Sequence, residues 1–187
     1  ALALPQFRMA GYVYVGMDHF ALPDDALAQA KQHGQLQRNF QGYSTRPDCD
    51  LIGLGVSAIG RIGNCYSQNA KTLDAYRDQV QKGHFPVERG LQLTRDDQIR
   101  RAVIMAIMCQ GEVVFGTVNR DWQIDWSTYF STEMTHLEPL QAQGLLSLHD
   151  DRFRITAIGW YFVRAVAMVF DRHLQTASTE ARFSRIL

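Results

Sequence analysis

Apolar and polar positions follow different patterns on either side of residue 90. Residues 11–17 carry the apolar run of a buried strand, and the proline and acidic residues from Pro23 onward predict the first turn of a short helix. Glycine and polar residues interleave over 35–66, which is typical of loops and short strands. Apolar residues at helical spacing predict another helix over 71–82.

Beyond residue 90 the helical period dominates. Residues 86–90 are typical of a connector. The elements predicted after it are a capped amphipathic helix from Thr94, a helix over 131–143, a hairpin over 145–155 and a long helix from Thr156. Because this order is winged-helix-like, we predict two domains: an α/β part over 1–90 and an α+β, mostly helical domain over 91–187.

Charge and composition argue against several kinds of partner. The 187 residues include 19 basic and 19 acidic side chains, a balance that disfavours nucleic acid or an anionic membrane. The candidate recognition helix at 131–143 has two glutamates and no lysine or arginine, so it suits a DNA backbone poorly. No apolar run is long enough to span a bilayer. Three cysteines without a Cys-x-x-Cys pair favour the reducing cytoplasm.

Three segments of the first third combine glycine, aromatic and polar residues. Asp18 and His19 end a predicted buried strand, where α/β folds place ligand contacts, although a lone histidine more often orients a loop. Residues 40–43 (FQGY) suit a planar ligand or a turn between strands. Residues 53–58 (GLGVSA) fit neither common phosphate-binding pattern but would allow backbone to pack closely around an organic ligand.

These segments carry a resemblance to a known family. The matching stretches are YVYVGMDHFALPDDALA, RNFQGYSTRPDCDLIGLGVSAI, NCYSQN, LTRDDQIRR and the terminal FSRIL. Together they resemble the C-terminal part of the oxygen-independent coproporphyrinogen III oxidases, which are radical S-adenosylmethionine enzymes of haem biosynthesis. The resemblance implies that residues 1–90 include the last strand and helix of a radical SAM barrel. A related branch of haem-chaperone-like proteins, which bind haem, is the alternative.

The resemblance implies a chemistry that the residues alone do not reveal. The family uses a [4Fe–4S] cluster to cleave S-adenosylmethionine, and the radical converts coproporphyrinogen III to protoporphyrinogen IX by oxidative decarboxylation. A second S-adenosylmethionine lies beside the first, and the resemblance places Phe40, Gln41 and Ile59 in its site. Asp18 and His19 are candidates for binding substrate or orienting a loop. The electron acceptor stays open, and a monomer is expected.

The chain departs from the family in one respect. The cysteine motif that holds the cluster is absent, and Cys49, Cys65 and Cys109 lack ligand spacing, so we expect no metal site in this chain. The residues that hold the first S-adenosylmethionine are absent too, and both sets belong N-terminal to Ala1 in the family. We therefore expect this chain to be a part of a longer enzyme and to be inactive alone.

Overall fold

The computed structural model describes residues 3–46 and 49–176. The FSRIL segment at 183–187, which contributes to the resemblance, lies outside the described residues. Within them the chain is mixed α/β, with short helices and several small antiparallel sheets, and the broad fold class expected from the sequence is confirmed.

Two compact units divide the chain. The first unit comprises Ala1–Arg46 together with Ile99–Leu187, and the second unit is Pro47–Gln98. This division does not coincide with the predicted domain boundary near residue 90. The boundary concerns the domains of the full-length protein, and it stays a prediction.

Most of the elements are short. The helices are α1 (Ala3–Met9), α2 (Ala26–Gln32), α3 (Leu73–Gln81), α4 (Arg95–Gln110), α5 (Phe115–Trp122), α6 (Trp126–Tyr129), α7 (Ser131–Ala142), α8 (Val163–Met168) and α9 (Arg172–Thr176), with a 3₁₀ helix at Gly159–Phe162. The strands are β1 (Val13–Gly16), β2 (His19–Ala21), β3 (Gln37–Asn39), β4 (Gly42–Ser44), β5 (Ile59–Ile62), β6 (Cys65–Asn69), β7 (Val87–Gln92), β8 (Glu112–Val114), β9 (Leu146–Leu148) and β10 (Arg152–Ile155).

The strands form four small antiparallel sheets among the described residues. In the first unit, β1 pairs with β2, β3 pairs with β4, and β10 lies between β8 and β9. In the second unit, β6 lies between β5 and β7. The predicted strand over 11–17 and the predicted hairpin over 145–155 are both confirmed.

Local capping explains where two predicted helices begin. The Asp25 carboxylate accepts a hydrogen bond of 2.7 Å from the amide of Leu27 at the start of α2. At the start of α4, the Asp97 carboxylate accepts from the Thr94 amide at 2.9 Å, and the Thr94 hydroxyl accepts in return from the Asp97 amide at 3.2 Å. This reciprocal arrangement is the capping box predicted from the sequence.

The core of the first unit follows the amphipathic pattern of α4. The fully or almost fully buried residues Ile99, Val103 and Ile107 recur at spacings of four along this helix. They belong to a cluster whose large members include Phe130, Leu137, Phe153, Val166 and Phe170. The cluster also includes Val15 of β1 and Leu36, so the site-bearing hairpins described below rest on a packed core.

Two predicted elements are wrong. The long helix expected from Thr156 is broken into the 3₁₀ helix and α8, because Phe162 has a non-helical backbone (φ −117°, ψ 17°). Gly159 lies against the carbonyl of Leu145 with no room for a Cβ atom, which holds the chain to the hairpin at that point. Residues 87–90 of the predicted connector at 86–90 are instead part of β7, which has exposed side chains along its whole length.

Candidate functional site

The β3–β4 hairpin presents Phe40 and Gln41 at its tip. The carboxamide oxygen of Asn39 accepts a hydrogen bond of 2.9 Å from the Gln41 amide, so this side chain closes the turn. Phe40 is 54% exposed, and Gln41 is exposed. The side-chain amide of Gln41 has no hydrogen-bond partner among the described residues. An aromatic face and a polar amide are therefore both accessible at one turn.

His19 contacts the base of this hairpin. Its ring makes an edge contact with Tyr43, with ring centroids 5.2 Å apart, and a Cβ atom on Gly42 would lie only 2.8 Å from the His19 Nε2 atom. Gly42 has a positive φ of 142°, so this position requires glycine for two reasons. Within the described part of the chain, the buried Nδ1 atom of His19 has no hydrogen-bond partner. The structure thus brings His19 to the hairpin, whereas Asp18 is exposed on the preceding turn.

Tyr43 fixes the hairpin to the core of the first unit. Its hydroxyl donates a buried hydrogen bond of 2.9 Å to the carbonyl of Met108 on α4. Gly16 contacts the phenol so closely that a Cβ atom there would clash with the phenol oxygen. Burial raises the pKa of Tyr43 to about 12, so the phenol keeps its proton throughout the physiological range.

The glycine-rich segment 53–59 forms a fixed loop in the second unit. The side-chain amide of Asn69 donates hydrogen bonds of 2.9 Å to the carbonyls of both Gly53 and Gly55. The Gly55 amide donates to the hydroxyl of Tyr76, and the Ser57 amide donates to a backbone carbonyl. Because the Gly55 and Ser57 amides already have partners, these two amides are not available to bind a phosphate.

Ile59 follows this loop as the first residue of β5. The pairing of the three strands places Ile59 opposite Gln68, and Gln68 opposite Arg89. Paired residues of neighbouring strands point to the same face of a sheet, so these three side chains share one face. The sequence analysis did not identify Gln68 or Arg89. Their neighbourhood depends on strand register, which no local motif encodes.

The predicted site residues therefore fall into two groups. Asp18, His19, Phe40 and Gln41 lie on two hairpins of the first unit, and Ile59 lies on the sheet of the second unit. Within the first unit, His19 contacts the hairpin that carries Phe40 and Gln41. The roles of all five residues in binding stay predictions.

The described residues show no arrangement for a metal or a membrane. Within residues 3–46 and 49–176, no group of three or more His, Cys, Asp or Glu side chains is placed to hold a metal ion. Cys49 and Cys65 are exposed and Cys109 is buried. In the same residues, no helix is both long enough and apolar enough to cross a bilayer.

Comparisons with known proteins give a consistent result. Residues 93–162 match the family described as the HemN C-terminal domain. The chain is 46% identical, over 97% of its length, to an oxygen-independent coproporphyrinogen III oxidase of Pseudomonas aeruginosa, and 42% identical, over 95% of its length, to that of Escherichia coli. A solved structure of the coproporphyrinogen III oxidase (HemN) of Escherichia coli, described as a radical SAM enzyme, matches 91% of the chain with a TM-score of 0.87 and 42% identity.

These similarities confirm the predicted resemblance. They also show a difference in length, because the chain spans only 39% of the Pseudomonas aeruginosa and Escherichia coli relatives and 39% of the solved structure. The match thus concerns a part of those proteins.

Proposed function

Because the chain is similar over almost its whole length to part of the oxygen-independent coproporphyrinogen III oxidases, we propose that it is the C-terminal part of such an enzyme. The complete enzyme would convert coproporphyrinogen III to protoporphyrinogen IX by oxidative decarboxylation of propionate side chains. The observation that carries this proposal is 46% identity over 97% of the chain. The matched region includes both hairpins and the glycine-rich loop, where the candidate site residues lie.

Phe40, Gln41 and Ile59 would contact a second S-adenosylmethionine in this enzyme. The exposed ring of Phe40 offers a flat face for stacking, and the unbonded amide of Gln41 can both donate and accept hydrogen bonds. The S-adenosylmethionine bound at the cluster, outside this chain, would supply the carbon radical that removes hydrogen from the substrate. The residues of this chain would bind and orient the second S-adenosylmethionine, and His19 would hold the Gln41 hairpin in position through Gly42 and Tyr43.

The [4Fe–4S] cluster would be bound outside this chain. Four thiolates or their equivalents hold such a cluster, and the exposed Cys49 and Cys65 and the buried Cys109 do not form a ligand set. The donor set present here therefore does not fit the cluster. We accordingly expect this chain alone to bind no stoichiometric cluster and to be inactive.

We also propose that the C-terminal domain is winged-helix-like and that the N-terminal part of the chain completes a radical SAM barrel. The order α4, β8, α5, α7, β9 and β10, with β10 between β8 and β9, supports a winged-helix-like C-terminal domain. The match of residues 93–162 supports a domain that starts near residue 91. The strand β1, whose Val15 is fully buried, would be the last strand of a radical SAM barrel that the remainder of the enzyme completes.

Anaerobic assays of the full-length enzyme test the proposal. The wild type should form protoporphyrinogen IX, and Gln41→Ala and Ile59→Asp should each abolish turnover while leaving the iron content unchanged, since Asp would place an unpaired charge against the cofactor. Ile62→Asp is the matched control, because Ile62 is exposed on the opposite face of the same strand. Stoichiometric haem binding without decarboxylation would instead favour a haem chaperone.

A further inference from the structure

Arg89 is held in a fixed orientation by a neutral side chain. Its Nε atom donates a hydrogen bond of 2.8 Å to the carboxamide oxygen of Gln68, and its Nη2 atom donates to the same oxygen. Gln68 is held in turn, because its carboxamide nitrogen donates at 3.2 Å to the carbonyl of Ser57. The glycine-rich loop thus orients the Arg89 guanidinium through one intervening side chain.

This arrangement leaves one edge of the guanidinium available. Gln68 occupies the edge formed by Nε and Nη2, whereas the edge formed by Nη1 and Nη2 has no hydrogen-bond partner among the described residues. That edge has the two parallel N–H groups that bind a carboxylate in a bidentate manner. The side chain is exposed, so a ligand can reach it.

Arg100 and Arg152 differ from Arg89 in that they are paired with acids. Arg100 forms an ion pair with Glu133 at 2.6 Å, and Arg152 contacts both Asp151 and Glu112. No carboxylate within the described residues pairs with Arg89. An amide orients Arg89 without neutralising its charge, and a preorganised, uncompensated guanidinium is suited to an anionic ligand.

We propose that Arg89 binds a carboxylate of a ligand on the sheet face that carries Ile59. The row Ile59–Gln68–Arg89 crosses β5, β6 and β7, which places the backbone of Arg89 two strands, or about 10 Å, from that of Ile59. This proposal rests on the proposed function, in which S-adenosylmethionine lies near Ile59. The carboxylate is either that of the methionyl group of S-adenosylmethionine or a propionate of the tetrapyrrole.

Binding measurements on the full-length protein distinguish the two sources. Equilibrium dialysis measures the affinity for S-adenosylmethionine, and fluorescence titration measures the affinity for coproporphyrin III. Arg89→Gln should weaken one of these affinities about tenfold. Arg89→Lys should recover part of the loss, because it keeps the positive charge but cannot form the two parallel hydrogen bonds of a guanidinium. If the propionate is the ligand, the methyl ester of coproporphyrin III should bind wild type and Arg89→Gln equally well.

A second variant tests the role of Gln68. Gln68→Glu keeps the size of the side chain and gives Arg89 a carboxylate partner, so it should weaken the same affinity as Arg89→Gln does. Arg120→Gln is the control, since Arg120 is an exposed arginine paired with Asp121, and this change should leave both affinities unchanged.

The results separate this proposal from the proposed function. If the wild type decarboxylates coproporphyrinogen III and Arg89→Gln binds both ligands as tightly as Arg120→Gln does, the assignment of Arg89 is wrong and the proposed function stands. A wild type that binds neither ligand overturns both proposals.

Discussion

The hydroxyl of Tyr43 donates a buried hydrogen bond of 2.9 Å to the carbonyl of Met108, 65 residues further along the chain. This bond joins the hairpin that carries Phe40 and Gln41 to the central helix of the first unit. The two ends of the bond lie in elements that no local sequence signal connects. The position of the hairpin relative to the core therefore depends on long-range contacts, which include this bond, the packing of the Tyr43 ring, and the hydrogen bond of 3.0 Å from the Gln110 side chain to the Leu36 carbonyl.

Tyr43→Phe should destabilise the protein by about 1–2 kcal/mol, because the Met108 carbonyl loses its donor while the aromatic packing is kept. Urea unfolding measures the change. Tyr14→Phe removes the same atom from a tyrosine whose hydroxyl lies 3.5 Å from the Trp160 carbonyl, a weaker contact, and it should cost less than about 0.5 kcal/mol. Equal effects of the two changes would contradict a special role for the Tyr43 bond.

The ion pair between Arg100 and Glu133 is buried, with 16% and 6% of the two side chains exposed. Glu133→Gln should destabilise the protein by about 3 kcal/mol, because it removes the buried carboxylate charge that lies 2.6 Å from the Arg100 guanidinium. Asp121→Asn is the control, since the Arg120–Asp121 pair is exposed, and it should change the free energy of unfolding by less than about 1 kcal/mol. A small effect of Glu133→Gln would show that Arg100 is compensated by its other contacts.

Burial raises the pKa of the Cys109 thiol to about 12, against an ordinary value of 9.0. Between these values the unfolded chain releases a proton that the folded chain retains, so the free energy of unfolding should fall as the pH rises above 9. The fall should be smaller in Cys109→Ala, measured by urea unfolding at a series of pH values. An identical pH dependence of the free energy of unfolding in the two proteins would contradict the prediction.

The three thiols should also differ in their reactivity. At neutral pH an aromatic disulfide reagent should modify the exposed Cys49 and Cys65 before Cys109.

Lys31 should change the free energy of unfolding with pH in the direction opposite to Cys109. Its ammonium donates hydrogen bonds of 2.9 Å and 2.7 Å to the carbonyls of Tyr14 and Val15 and lies 4.0 Å above the Trp160 ring, and burial lowers its pKa to about 8. From pH 8 to about 10.5 the unfolded chain binds more protons than the folded one, so this group makes unfolding free energy rise with pH.

The contribution of Lys31 should not exceed about 1 kcal/mol per pH unit, since the ammonium is only partly buried and solvent screens it. In Lys31→Met the free energy of unfolding should rise less, or fall more, over this range than in the wild type. A variant with an unchanged pH dependence would show that Lys31 keeps an ordinary pKa in the folded protein.

Much of the secondary structure could be predicted because its causes are local. The Asp25 cap of α2 and the reciprocal Thr94–Asp97 cap of α4 each involve residues no more than three positions apart. The hairpin over 145–155 is likewise encoded by two apolar runs around an acidic turn. The resemblance also came from the sequence alone, because short motifs such as GMDHFA and NFQGY are recognised from the order of their residues and require no knowledge of the structure.

Other features required the tertiary structure. The final segment begins as a 3₁₀ helix in which Gly159 packs against the Leu145 carbonyl, and residues 87–92 become a strand only because β6 pairs with them. The Gln68–Arg89 contact spans 21 residues. Each of these features depends on which distant segment supplies the partner. Capping and periodicity act within one or two turns of the chain, whereas strand register and close packing are decided by the free energy of the assembled core.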